Sequence, residues 1–249
     1  DTVVFDDAGA VTTATINVGW NIGTINAGSR TNAMTLSGFT NSPTIHGNVT
    51  IGSGLTLGSG AASFAGTSTQ TFISAGKTIP FSISLITPTC SFRHGDAFTS
   101  TSSISLDAGA YDTQNYNVTV TSLTVTTGSL SAISTRTVSL GSSTITLSGN
   151  GINFASTFLT FNAGTSTINL SSTSTKSIIG GGQTFNIVTS TGGTTSALTI
   201  TGSNTFTTLS NTAYTYLTLT SGTTQTFTNF NYTGASGSVV RITTSTPGL

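Results

Sequence analysis

The side chains able to do chemistry are few and gather at three places. The densest group is Cys90-Ser91-Phe92-Arg93-His94-Gly95-Asp96. His94 and Asp96 are the residue types of an acid–base pair or of two metal ligands. A zinc or copper site needs three or four ligands, and the only other histidine is His46. A polar loop turned by Gly95 fits these neighbours better. Asp107 and Asp112 flank Ala108-Gly109-Ala110-Tyr111. Two carboxylates held about 5–10 Å apart can cleave a glycosidic bond. Such a site also calls for exposed aromatics and basic residues, and only Tyr111 and Tyr116 lie near, so turn-forming aspartates at strand ends fit better. Asp6 and Asp7 read as turn residues or as a stray calcium contact, without the nonapeptide repeat of a calcium-binding β-roll. No catalytic, cofactor-binding or metal-binding set assembles. The expectation is a non-enzymatic chain without cofactors.

The elements that must position these residues are strands. Val118-Thr119-Val120-Thr121, Leu198-Thr199-Ile200-Thr201 and Leu217-Thr218-Leu219-Thr220 alternate apolar and hydroxyl side chains, which puts the two kinds on opposite faces of a strand. Gly149-Asn150-Gly151, Gly180-Gly181-Gly182, Gly192-Gly193 and Gly234-Ala235-Ser236-Gly237 supply turns between such runs. The runs also repeat. Gln183-Thr184-Phe185, Asn204-Thr205-Phe206 and Gln225-Thr226-Phe227 recur at 21 residues, and Gly141–Leu147 returns as Gly164–Leu170 after 23. A unit this short cannot bury its apolar face alone and must stack on its neighbours. The pattern predicts an all-β chain folded as a parallel β-helix, or β-solenoid, with coils of about 21–24 residues. About eleven coils at ~4.8 Å give a rod near 50 Å long. Trp20, Met34 and the fourteen Phe are expected in its core. Residues 1–249 read as one elongated repeat domain, a fragment of a longer protein because it starts at Asp1 and stops within a Ser/Thr-rich run. Pro80 and Pro88 cannot donate to a ladder, so a break between two stacks is allowed near residues 85–100.

Composition narrows the role. The 249 residues include 57 Thr and 37 Ser, with only six Asp, no Glu and six Lys plus Arg. Charged residues make up 5%, against about a quarter in ordinary soluble domains. Zero net charge with dispersed cations gives no footprint for nucleic acid. No apolar run nears the ~18 residues needed to span a bilayer, so no membrane insertion is expected. Cys90 is alone and forms no internal disulfide. Four glycosylation sequons, at Asn48, Asn117, Asn169 and Asn231, are close to chance in a chain this rich in Asn and Thr. Thr124-Val125-Thr126, Thr144-Ile145-Thr146, Thr165-Ser166-Thr167 and Thr218-Leu219-Thr220 could order water and bind ice, but only if such pairs recur at one point of every coil.

The chain resembles Ser/Thr/Gly-rich repetitive segments of environmental bacteriophage structural proteins and of large bacterial surface proteins. The phrases that carry the likeness are Asp1–Asp6, Gly66–Thr71 with Gly76-Lys77-Thr78, Gly95–Phe98, Tyr111-Asp112-Thr113 with Tyr116–Thr119, and Arg136–Leu147. The resemblance implies a stacking scaffold on the virion surface or outside the cell, with no catalytic residues to carry over. It also makes Gly95-Asp96 generic framework, whereas Arg93-His94 departs from the apolar residues expected there, and that departure makes Arg93 and His94 the expected contact loop specific to this protein. The function this implies is a structural or adhesive segment of a tail fibre, spike or capsid-surface appendage. The alternative is a secreted bacterial adhesin or filament subunit; an ice-binding protein or a polysaccharide-degrading enzyme ranks below both. Self-association, a trimer included, other virion or surface proteins, and host glycans are the expected partners.

Overall fold

Alternating β-branched and hydroxyl residues form strands of two to ten residues, and the apolar side of each strand turns toward a common axis. The structure, a computed structural model, describes residues 1–8, 11–17, 19–126, 134–156, 158–191, 197–212, 216–234 and 239–246. The Gly192-Gly193 turn and residues 235–237 lie outside these. Every strand pairing among the described residues is parallel, and each joins a strand to its counterpart one coil away. The chain is a β-solenoid. The only helical turn described is the 3-10 segment Phe39–Asn41.

Three ladders wrap the axis. The first begins Thr2–Val4, Thr24–Asn26, Val49–Thr50, Thr69–Ile73 and continues through Ser91–His94 and Gly109–Asp112 to Leu159–Asn162. The second stacks Val118, Ile145, Ile168, Val188, Leu209 and Phe230 over one another. The third runs from Asn21–Ile22 to Arg241–Thr244 through eleven successive strands. Val118–Val125 and Thr144–Asn153 cross a corner and serve two ladders at once, with a shift of register between Val120 and Ser122. Both sequence repeats lie in register: Thr184-Phe185 pairs with Thr205-Phe206, then Thr226-Phe227, and Thr144–Leu147 pairs with Thr167–Leu170.

Coil length varies more than the repeats imply. It runs from 19 residues, between Phe92 and Tyr111, to 29, between Leu123 and Ile152. Corners absorb the difference while the rungs keep their places. Gly164 shows how tight a corner is: φ is +58°, and a Cβ there would lie 2.3 Å from the Gly141 carbonyl oxygen one coil below. Residues 85–100 carry no break. Ser91–His94 pairs on both sides, with Thr69–Ile73 and with Gly109–Asp112, and Phe81–Leu85 pairs with both Gly60–Phe64 and Ile104–Leu106. Pro80 sits at the corner between Thr78–Ile79 and Phe81–Leu85, and Pro88 in a turn, where neither owes the ladder a donor.

One apolar cluster fills the interior from Ile16 to Leu217. Phe161, Phe185, Phe206 and Phe227 form a column with ring centroids 5.2, 5.3 and 5.5 Å apart, the last two pairs nearly parallel. Met34 is buried as expected, but Trp20 is 44% exposed, as are Phe158 at 44% and Phe230 at 39%. Trp20 lines an apolar opening of about 170 Å³ with Val3, Phe5 and Ile16, where the first coils are thinly packed.

Truncation of Phe206 to Ala removes the middle of the column and should cost about 3–5 kcal/mol, whereas Thr207→Ala on the exposed side should change stability by less than ~0.5 kcal/mol. Since each coil touches only its neighbours, the amides of 184–190 and 226–231 should lose hydrogen-exchange protection first. Equal effects of the two substitutions would show that the column is not a core.

Candidate functional site

Ser91–His94 is a strand, not a loop, and that corrects the reading of Arg93 and His94 as one contact surface. Alternation sends Phe92 and His94 inward and Ser91 and Arg93 outward. Arg93 is exposed, and its Nε donates to the Thr71 hydroxyl at 2.9 Å one coil below. His94 is 1% exposed and lies among the rings of Phe98 at 4.5 Å, Phe92 at 5.3 Å and Tyr111 at 5.4 Å. Its Nε2 shares a hydrogen bond of 2.9 Å with the Tyr111 hydroxyl, and Nδ1 meets no partner among the described residues. Burial holds the imidazole down at about pKa 3, so it stays neutral in the core. Burial, with the Asp112 charge second, pushes the Tyr111 hydroxyl well above its ordinary value. His94 therefore offers nothing to a partner at the surface. Of the two residues, Arg93 alone faces out.

The remaining members of the cluster hold corners together. The Asp96 carboxylate accepts from the backbone N–H of Ser74 at 2.8 Å and of Ala75 at 2.6 Å, in the coil below. That turn needs the help, because Ala75 and Gly76 both have positive φ, +51° and +72°. Asp7 does the same work on the next coil, accepting from Asn32 N–H at 2.9 Å, Thr31 N–H at 3.0 Å and the Thr31 hydroxyl, with Arg30 Nε 3.5 Å away. The Thr31 hydroxyl and the Asn32 amide hold its carboxyl below the usual range. Asn48, Asn117 and Asn115 repeat the device with amide oxygens, accepting from Thr71, Thr144 and Ser142 N–H at 2.8, 2.9 and 2.9 Å. Cys90 is buried; its thiol donates to Gln70 Oε1 at 3.2 Å, and desolvation raises its pKa to about 11.

Asp107 and Asp112 do not form a pair. Asp107 lies in the bend before Gly109–Asp112 and Asp112 ends that strand, each taken up by its own neighbours. Asp112 accepts from Gln114 N–H at 2.8 Å and Nε2 at 2.5 Å, and Asp107 accepts from the Thr126 hydroxyl. His46 is exposed and bonds Ala65 O and Asn21 Oδ1, both at 3.2 Å. Among the described residues no group of three His, Cys or acidic side chains could hold a metal ion.

Three of the six dispersed cations, Arg30, Arg136 and Lys176, are buried at the corners. Arg30 donates to the carbonyls of Asn32 at 3.0 Å, Val11 at 2.7 Å and Asp6, binding the first coil to the second. Arg136 donates to Ser134 O at 2.9 Å and Lys176 to Ser172 O at 2.8 Å. Desolvation lowers the pKa of both. The outward threonines are not one continuous array: Thr124 is followed in its column by Asn153, then Ile179, then Thr201. Hydroxyls do bond coil to coil where they coincide, as Ser84 with Ser105 at 2.9 Å and Thr189 with Ser210 at 2.9 Å.

No family model, curated protein or solved structure matches this chain. No described helix is long and apolar enough to cross a membrane.

A buried neutral histidine makes stability depend on pH in one direction. Above pH 6.5 neither state holds the proton. Below it the unfolded chain binds one that folded His94 refuses until about pH 3, so stability falls by up to about 1.4 kcal/mol per pH unit across that window. Urea midpoints from pH 7 to 4 should show this slope in the parent and not in His94→Leu. Parallel slopes in the two would place the titrating group elsewhere.

Proposed function

We propose that this chain is a non-enzymatic structural and adhesive segment of a phage virion protein, in a tail fibre, spike or capsid-surface appendage. The observation that carries this reading is a third ladder of eleven parallel strands around one apolar core. Shear or bending of such a rod must break rows of backbone hydrogen bonds together, and one buried apolar cluster runs through the described residues from Ile16 to Leu217. The side chains that could have run a reaction are occupied in holding corners: Asp7, Asp96, Asp107 and Asp112 each accept from a neighbouring turn or coil. Thr and Ser are the commonest residues facing outward, and they make a hydroxylated flank suited to weak, repeated contact with glycans.

A bacterial extracellular adhesin or filament subunit would use the same physics and is the second reading. Electron microscopy with antibody against the folded chain separates the two. Labelled projections on purified virions agree with the proposal. Label along cell-surface filaments replaces it with the bacterial reading, and label confined to the cell interior overturns both.

A further inference from the structure

The last three strands of the third ladder set an exposed aromatic ring, an exposed cation and rows of threonine side by side. Leu198–Thr201, Tyr216–Leu219 and Arg241–Thr244 stack so that Thr199, Thr218 and Thr243 form one outward column and Tyr216 lies under Arg241. Thr218 and Thr243 hydroxyls are 3.2 Å apart, and Thr201 and Thr220 hydroxyls 3.0 Å apart in the adjacent column. Tyr216 is 47% exposed, and the Arg241 guanidinium carbon stands 6.0 Å from its ring centre. Tyr216, Thr218, Arg241, Thr243 and Thr244 line an open groove of about 350 Å³. These side chains point out from the flank of the rod, so a further coil stacked on the last strand would leave them facing solvent.

Charge gives the groove its ligand class. All six acidic residues lie at or before Asp112, so residues 113–249 contain no carboxylate side chain. Of the three cations in that stretch, Arg136 and Lys176 are buried in corners and Arg241 is exposed. Within residues 113–249, therefore, no side chain supplies an anion to Arg241. A guanidinium fork matches a carboxylate or a sulfate with two parallel hydrogen bonds. A tyrosine ring offers an apolar face with a polar tip, and paired hydroxyls both donate and accept. Together these are the groups that a sugar bearing an acidic substituent satisfies: ring against Tyr216, hydroxyls against Thr218 and Thr243, acid on Arg241.

We propose that this groove binds acidic glycans, taking a uronate carboxylate or a sugar sulfate on Arg241. The proposal deepens the adhesive part of the function above and rests on it. The test uses the full chain with oligogalacturonate and its methyl ester, and with a sulfated galactan oligosaccharide and its desulfated form. Binding of an acidic form at least about tenfold tighter than its neutral counterpart is expected, and which acid wins identifies the source of the anion. Arg241→Gln should erase that preference, and Tyr216→Ala should weaken acidic and neutral forms together. Both side chains are exposed, so a matching far-ultraviolet spectrum confirms that the variants fold. Preference for acid that survives Arg241→Gln, or affinity unchanged by Tyr216→Ala, overturns this groove while leaving an adhesive rod in place. Equal binding of acidic and neutral forms overturns the charge assignment. Binding to none of the four overturns the groove, while the structural and adhesive reading stands or falls with the particle labelling.

Discussion

Parallel register between successive coils is the constraint on which the structure depends. A parallel strand pair sets each residue beside its counterpart, so whatever occupies a position in one coil is imposed on the next. Phe185, Phe206 and Phe227 stack because their strands are in register, and Ser84 meets Ser105 for the same reason. A slip of one residue would turn every buried Ile, Leu and Phe of a coil outward and bring its hydroxyls into the core. The apolar column therefore fixes the ladder, and the ladder fixes the outer surface. Threonine suits this arrangement since its branched body fits the strand while its hydroxyl remains wet or bonds to the next coil.

Corners carry the chemistry that the strands do not. Backbone groups that leave a ladder to turn must find partners, and carboxylates, amides and cations supply them. Asp7 and Asp96 each gather two backbone N–H groups from an adjacent coil, and Asn48, Asn115 and Asn117 each gather one. Arg30, Arg136 and Lys176 work on carbonyls instead. So small a complement of charge is largely consumed in structure. Arg93 and Arg241 are the cations left exposed. The first is tied to Thr71, and the second stands over Tyr216.

The architecture was legible because both of its determinants are local: period-two alternation and a 21-to-23-residue echo. The two repeats that recur in the sequence are rungs of one ladder system. The spread of coil length was not legible, since corners of different size leave the rungs unchanged and no repeat marks them. Burial of the charged residues was readable and was missed. Counting back by two from Val138 and Ile178 puts Arg136 and Lys176 on the inner side, and counting on from Phe92 puts His94 there. For His94, residue type points to a polar loop, but alternation wins when a side chain can reach a corner carbonyl or an aromatic hydroxyl. Tyr216 and Arg241 could not be joined from sequence, because pairing them requires the 25-residue step between Leu217 and Ile242, longer than the repeat implies.

Register is best tested by covalent trapping on the outer surface. Thr189 and Ser210 are directly opposed with hydroxyls 2.9 Å apart, whereas Thr208 stands opposite Ile187 and so lies about 8 Å from Thr189 by strand geometry. A disulfide bridges Cα atoms only within about 7 Å. The Thr189→Cys, Ser210→Cys double variant should therefore close a disulfide under mild oxidation with the rod intact, and Thr189→Cys with Thr208→Cys should not. Equal cross-linking of the two pairs, or cross-linking of the second alone, would show that like residues do not lie over like.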